Sequence, residues 1–97
     1  GGNGFAAFAA AKSGLRAVAQ SMARELGPKG IHVAHVIIDG GIDSPRVRQT
    51  QPQRVEAAGV DGLLQPDHIA EQYLNLHRQP RDCWAFELDL RPWAERW

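Results

Sequence analysis

The sequence predicts an α/β fold built on a parallel sheet, and three observations carry that reading. From about Ala6 to Leu26 the apolar positions Phe8, Ala11, Leu15, Val18, Met22 and Leu26 recur every three or four residues, the stripe of a long amphipathic helix. The run Ile31–Ile38 follows a Gly-Pro stop and is apolar on both faces, as a buried parallel strand is. A second helix and a second strand come after an irregular stretch, so two parallel strands joined through a helix form one right-handed crossover unit. The expected order is long helix, buried parallel strand, irregular lid, helix, strand, in a single domain over residues 1–97.

Each element has its own warrant. Gly1-Gly2-Asn3-Gly4 is a lead-in whose Asn3 suits a helix N-cap. A start without methionine suggests a fragment, a cleaved tag or a processed product. Beside the apolar stripe of the long helix runs a second stripe of small residues: Ala6, Ala10, Ser13, Gly14, Ala17 and Ser21. Small side chains let another backbone come close, and no other helix here is of comparable length, so the partner would be the same helix of a second copy. The alternative is that alanines are simply good helix formers. Gly27-Pro28-Lys29-Gly30 ends the helix and turns the chain. In the strand that follows, His32 and His35 are an odd number apart and point to opposite faces, so they form no metal pair.

Asp39-Gly40-Gly41-Ile42-Asp43-Ser44-Pro45 lies where the C-terminal end of that strand opens into a loop, the edge at which open α/β sheets bind ligands. Its glycines permit close backbone approach, and a plain turn explains them equally well. From Arg46 to Gln65 the pattern is irregular, with one short helix expected near Gln53–Ala58; a connection this long suits a lid. Pro66-Asp67 starts the second helix, with Ile69, Tyr73 and Leu76 on its inner face beside Ala70 and Leu74. Its His68 and His77 are about half a turn out of phase and are no ligand pair. Trp84, Phe86, Leu88 and Leu90 then alternate with Ala85, Glu87 and Asp89, a strand with one wet face, and Arg91-Pro92 ends it. The tail carries Trp93 and Trp97, which need something to cover them. Two strands are also too few to cover a doubly buried strand. Either a preceding half supplies the rest of the sheet or self-association does.

Composition narrows the function classes. The 97 residues include eleven acidic and eleven basic side chains, a formal net charge of zero, which leaves no electrostatic footprint for nucleic acid or an anionic membrane. No apolar run approaches the ~20 residues of a membrane span, and no signal peptide is visible. The single Cys83 cannot form an intrachain disulfide, which fits a reducing compartment, so a cytoplasmic location is expected. A chain this short buries only roughly 60–65% of the surface its unfolded form exposes, so its stability alone is marginal.

Several motifs in register carry a resemblance. Phe8 and Lys12 are four residues apart and share one helix face. Lys12-Ser13-Gly14 is followed by Glu25-Leu26-Gly27-Pro28-Lys29-Gly30-Ile31-His32-Val33, then by Ile42-Asp43-Ser44 and by Pro66-Asp67-His68-Ile69-Ala70. In order and spacing the chain resembles the C-terminal part of the short-chain dehydrogenase/reductase family, whose catalytic pair is Tyr-x-x-x-Lys, and the resemblance covers nearly all of it. It implies a fragment of a Rossmann-like doubly wound sheet, NAD(P) as cofactor, and a subunit interface, here a homodimer, through the long helix Ala6–Leu26.

In the resembled family the lysine holds the nicotinamide ribose and lowers the pKa of the tyrosine, which moves a proton on the substrate oxygen. Lys12 is therefore the candidate catalytic residue, and Lys12, Asp39, Gly40 and Ile42 are the candidate cofactor contacts; no metal is implied. Three features depart from the family. The tyrosine position is Phe8, and general acid–base work requires a titratable proton. The Gly-rich loop that seats a pyrophosphate on a helix N-terminus has no counterpart in the chain, nor has the family's catalytic serine. The expectation is the C-terminal portion of an oxidoreductase, inactive as an isolated chain. The alternative is a catalytically dead remnant that associates through its small-residue helix face and aromatic tail. In the resembled family the lid Ser44–Leu64 sets specificity, and here it carries no diagnostic cluster.

Overall fold

The structure, a computed structural model, describes residues 3–95. The lead-in Gly1-Gly2 and the second tail tryptophan, Trp97, lie outside the described residues. Helix α1 (Asn3–Leu26) is followed by a 3-10 turn (Gly27–Lys29), strand β1 (His35–Ile38) and helices α2 (Pro45–Thr50) and α3 (Pro52–Ala58). Helix α4 (Pro66–His77), a second 3-10 turn (Arg81–Cys83) and strand β2 (Glu87–Leu90) complete the order. The two strands form a parallel two-stranded sheet, so the α/β class and the order of its elements hold. Proline stands in the first turn of α2, α3, α4 and the first 3-10 turn, where its missing N–H would have had no helical partner.

The chain divides into two compact units, Gly1–His35 with Gln79–Leu88, and Val36–Arg78 with Asp89–Trp97. In the first unit, α1 already includes Asn3, the residue read as its cap; the alanine-rich run behind it favours propagation. Its half-covered positions are Arg16, Ala19, Gln20, Ala23 and Leu26, a third face that shares only Leu26 with the stripes seen in the sequence. The Arg16 guanidinium pairs with Glu87 and lies 5.6 Å from the centre of the Phe86 ring, marking the face that docks. The apolar stripe stays open, with Phe5 67%, Phe8 61%, Leu15 54%, Val18 57% and Met22 43% exposed.

The first strand is shorter than its sequence. Residues 31–34 run outside the ladder, and pairing begins where the His35 N–H donates to the Phe86 carbonyl at 2.7 Å. His32 is drawn aside: its ring stacks on Trp84 (centroids 4.7 Å apart, 3° between planes) and its Nε2–H donates to the Ala85 carbonyl at 2.8 Å. Trp84 itself donates to the Gln79 carbonyl at 3.2 Å, so it too precedes β2 rather than joining it. Nor is β1 buried on both faces, because the described residues supply one neighbouring strand.

In the second unit, the Asp39 N–H donates to the Leu90 carbonyl at 2.8 Å, and Leu76 of α4 and Pro92 are buried. Ile69, Gln72 and Leu76 form the covered face of α4, whereas Tyr73, read as core, is 51% exposed. The lid holds two short helices, not one. The Ser44 hydroxyl caps α2 by accepting from the Val47 N–H at 3.2 Å, with Pro45 behind it. That Ser-Pro pair was the sequence signal for the missed helix.

Candidate functional site

The residues singled out by sequence fall into two groups. Phe8 and Lys12 belong to the first unit; Asp39, Gly40 and Ile42 belong to the second. One helical turn places the Lys12 ammonium 5.4 Å from the centre of the Phe8 ring, a cation–π contact, with both side chains exposed. A phenylalanine ring offers Lys12 an electron-rich face and no proton. This pair can bind and orient but cannot run proton transfer.

The loop after β1 is shaped by its own neighbours. Gly40 has φ +145°, and a Cβ there would sit 2.7 Å from the Pro92 Cδ, so it is Pro92 that requires the glycine. At Gly41 a Cβ would sit 2.8 Å from the Leu63 Cδ2. The Asp39 carboxylate is held by Arg91 at 3.0 Å, and Arg91 pairs with Asp89 as well. Ile42 forms an isolated parallel bridge with Leu64: the Leu64 N–H donates to the Gly41 carbonyl and the Asp43 N–H to the Leu64 carbonyl, both at 2.8 Å. In that geometry the N–H and C=O of Ile42 itself point away from Leu64. Among the described residues no backbone group meets them.

Asp43 carries the strongest local electrostatics. Arg48 of α2 donates through Nε to Oδ1 at 2.6 Å and through Nη2 to Oδ2 at 2.8 Å, a bidentate fork. The Gln65 amide donates to the same Oδ2 at 2.9 Å. These bonds, Arg48's first and Gln65's second, hold the carboxyl at about 2, below its ordinary 3.8. The same pairing raises Arg48. Sequence reading missed Arg48 and Gln65 in this role; Asp43 just ahead of a helix cap, with an arginine one turn into the helix, was the available sign. Arg91 was read as a strand end and is the carboxylate clamp of β2.

The four histidines are not brought into a ligand set. Among the described residues no group of three or more His, Cys, Asp or Glu could hold a metal ion. His35 Nδ1 lies 3.5 Å from Glu87 Oε2 and makes no hydrogen bond. Trp93 of the tail is 81% exposed, its Nε1–H donating to the Val60 carbonyl at 3.3 Å. No described helix is long and apolar enough to cross a membrane.

No family model matches the chain, and no curated protein does. Among solved structures, it is similar to the crystal structure of a short-chain dehydrogenase from Rhodopseudomonas palustris, with 48% identity and a TM-score of 0.63. The similarity covers 96% of this chain and 32% of the dehydrogenase, so the chain spans about a third of that protein's length. The resemblance read from the sequence is thereby shown, and the α/β arrangement of helices on a two-stranded parallel sheet matches a fragment of that fold.

Proposed function

We propose that this chain is the C-terminal portion of an NAD(P)-dependent short-chain oxidoreductase and turns over no substrate by itself. The observation that carries the reading is 48% identity to a short-chain dehydrogenase across 96% of the chain. The residues present fit one end of a nicotinamide dinucleotide. In the second unit the N–H and C=O of Ile42 match the acceptor and donor of a carboxamide. The dinucleotide, when bound, supplies the hydride. The Ile42 backbone would fix the ring end of that group. Phe8 leaves the proton step without a donor. The exposed free thiol of Cys83 fits a reducing compartment and supports a cytoplasmic location.

The test is a graft of the chain in place of the matched third of the Rhodopseudomonas palustris dehydrogenase. Hydride transfer is then followed for the graft and for its Phe8→Tyr variant. The expected result is turnover in the Phe8→Tyr graft and none in the isolated chain. Turnover by the isolated chain, or an inert Phe8→Tyr graft, would overturn the reading.

A second reading, self-association, is favoured by the docking of α1. Because the helix meets its own unit through Arg16, Ala19, Gln20 and Ala23, the small-residue face centred on Gly14 and Ala17 is left open for a second copy. A concentration series by sedimentation velocity tests it; a monomer at all concentrations would remove it.

A further inference from the structure

The lid departs and returns at one point of the second unit. Ile42 pairs with Leu64 through two backbone hydrogen bonds, and this single bridge closes the long loop between them. Two hydrogen bonds are a weak base for such a loop, because loop-closure entropy favours its opening. The Asp43 carboxylate adds what the backbone lacks. It receives the Arg48 fork from the first lid helix and the Gln65 amide from the residue after the bridge. Asp43 and Gln65 are 22 residues apart in sequence, and each adjoins one side of the Ile42–Leu64 pair. Arg48 is the charged group that the carboxylate meets.

We propose that Asp43 is a positioning residue: its carboxylate latches the two ends of the lid across the Ile42–Leu64 bridge and so holds the free N–H and C=O of Ile42 in the direction a ligand meets. The nature of that ligand rests on the reading of Ile42 as a cofactor contact; the latch itself does not. A carboxylate left solvated on a loop would not order Arg48 and Gln65 around one oxygen, and an uncharged side chain here could not accept the bidentate fork. The depressed titration of Asp43 agrees with the geometry.

The experiment is amide exchange and a pH titration on the isotope-labelled chain by NMR, with no cofactor present. Asp43→Asn and Arg48→Gln should each reduce exchange protection of the bridge amides at positions 43 and 64 by on the order of threefold to fivefold. Substituting the neighbouring exposed Arg46→Gln should leave both amides unchanged. In the unaltered chain the backbone shifts of residues 41–43 and 64 should follow a carboxyl titrating at about 2. In Arg48→Gln, which keeps the carboxyl, that midpoint should move up toward the ordinary 3.8. The moving midpoint reads the Asp43–Arg48 pair, and the exchange of the bridge amides reads the latch. Unchanged protection in both variants, or a midpoint indifferent to Arg48, would overturn the latch. Failure of the graft to bind dinucleotide while the bridge amides still respond would overturn the cofactor reading and leave the latch standing.

Discussion

Gly14→Leu separates the fold of α1 from its use as an interface, because the two respond with opposite sign. In the chain by itself a Cβ at Gly14 meets no heavy atom within 4 Å, so the larger side chain enters open space. Replacing a mid-helix glycine by leucine then gains about 0.7 kcal/mol of helix propensity, which for a domain of this size raises the melting temperature by roughly 3–5 °C. Where a second helix backbone lies against the same face, the added side chain must be overpacked, at about 1–3 kcal/mol. That weakens self-association by at least about tenfold near the middle of the range. Circular dichroism melts at low concentration read the first effect, and sedimentation velocity over a concentration series reads the second. A raised melting temperature with an unchanged dissociation constant would refute the small-residue interface. Val18→Arg, on the apolar stripe, is the companion: if it alone disrupts association, the contact belongs to that other open face.

Other expectations follow from single contacts. His32→Ala removes both the Trp84 stack and the bond to the Ala85 carbonyl, and should lower stability by about 1.5 kcal/mol with a visible change in tryptophan emission. Gly40→Ala forces a Cβ against Pro92 at a backbone angle that side chains rarely adopt, and should destabilise the second unit by about 1–3 kcal/mol in chemical denaturation. Leu76→Ala hollows the buried leucine of α4 and should cost about 2–3 kcal/mol, enough to leave a marginal chain partly unfolded at room temperature. Asp43 sets an acid limit: its folded titration point is depressed, so its stabilising contribution is present in full above the ordinary 3.8 and is lost as pH falls through about 2. Acid unfolding followed by circular dichroism should therefore begin at higher pH in Arg48→Gln.

The parts legible in the sequence were those fixed by local chemistry. Pro66 marked the start of α4, the short helix expected near Gln53–Ala58 lies within α3, and the four-residue spacing of Phe8 and Lys12 does bring the two side chains together. What was not legible depends on partners far along the chain. Arg16 reads as a solvated side chain until Glu87 and Phe86, some seventy residues later, claim it. His32 reads as a strand residue until Trp84 offers a ring to stack on. The Asp43 latch draws on Gln65 from the far end of the lid, which no local pattern reveals. The helix periodicity gave an amphipathic α1 but not its docking face, because the residues that dock are an arginine, a glutamine and two alanines, with Leu26 alone from the apolar stripe.

The cofactor edge itself is tested most directly by dinucleotide binding to the graft described above, titrated with reduced nicotinamide dinucleotides and read through tryptophan fluorescence. Binding in the micromolar range, about −8 kcal/mol, is expected, with Lys12→Ala weaker by roughly tenfold. No binding at millimolar ligand, or binding indifferent to Lys12→Ala, would contradict the assignment of this chain as the cofactor-facing C-terminal portion of a short-chain oxidoreductase.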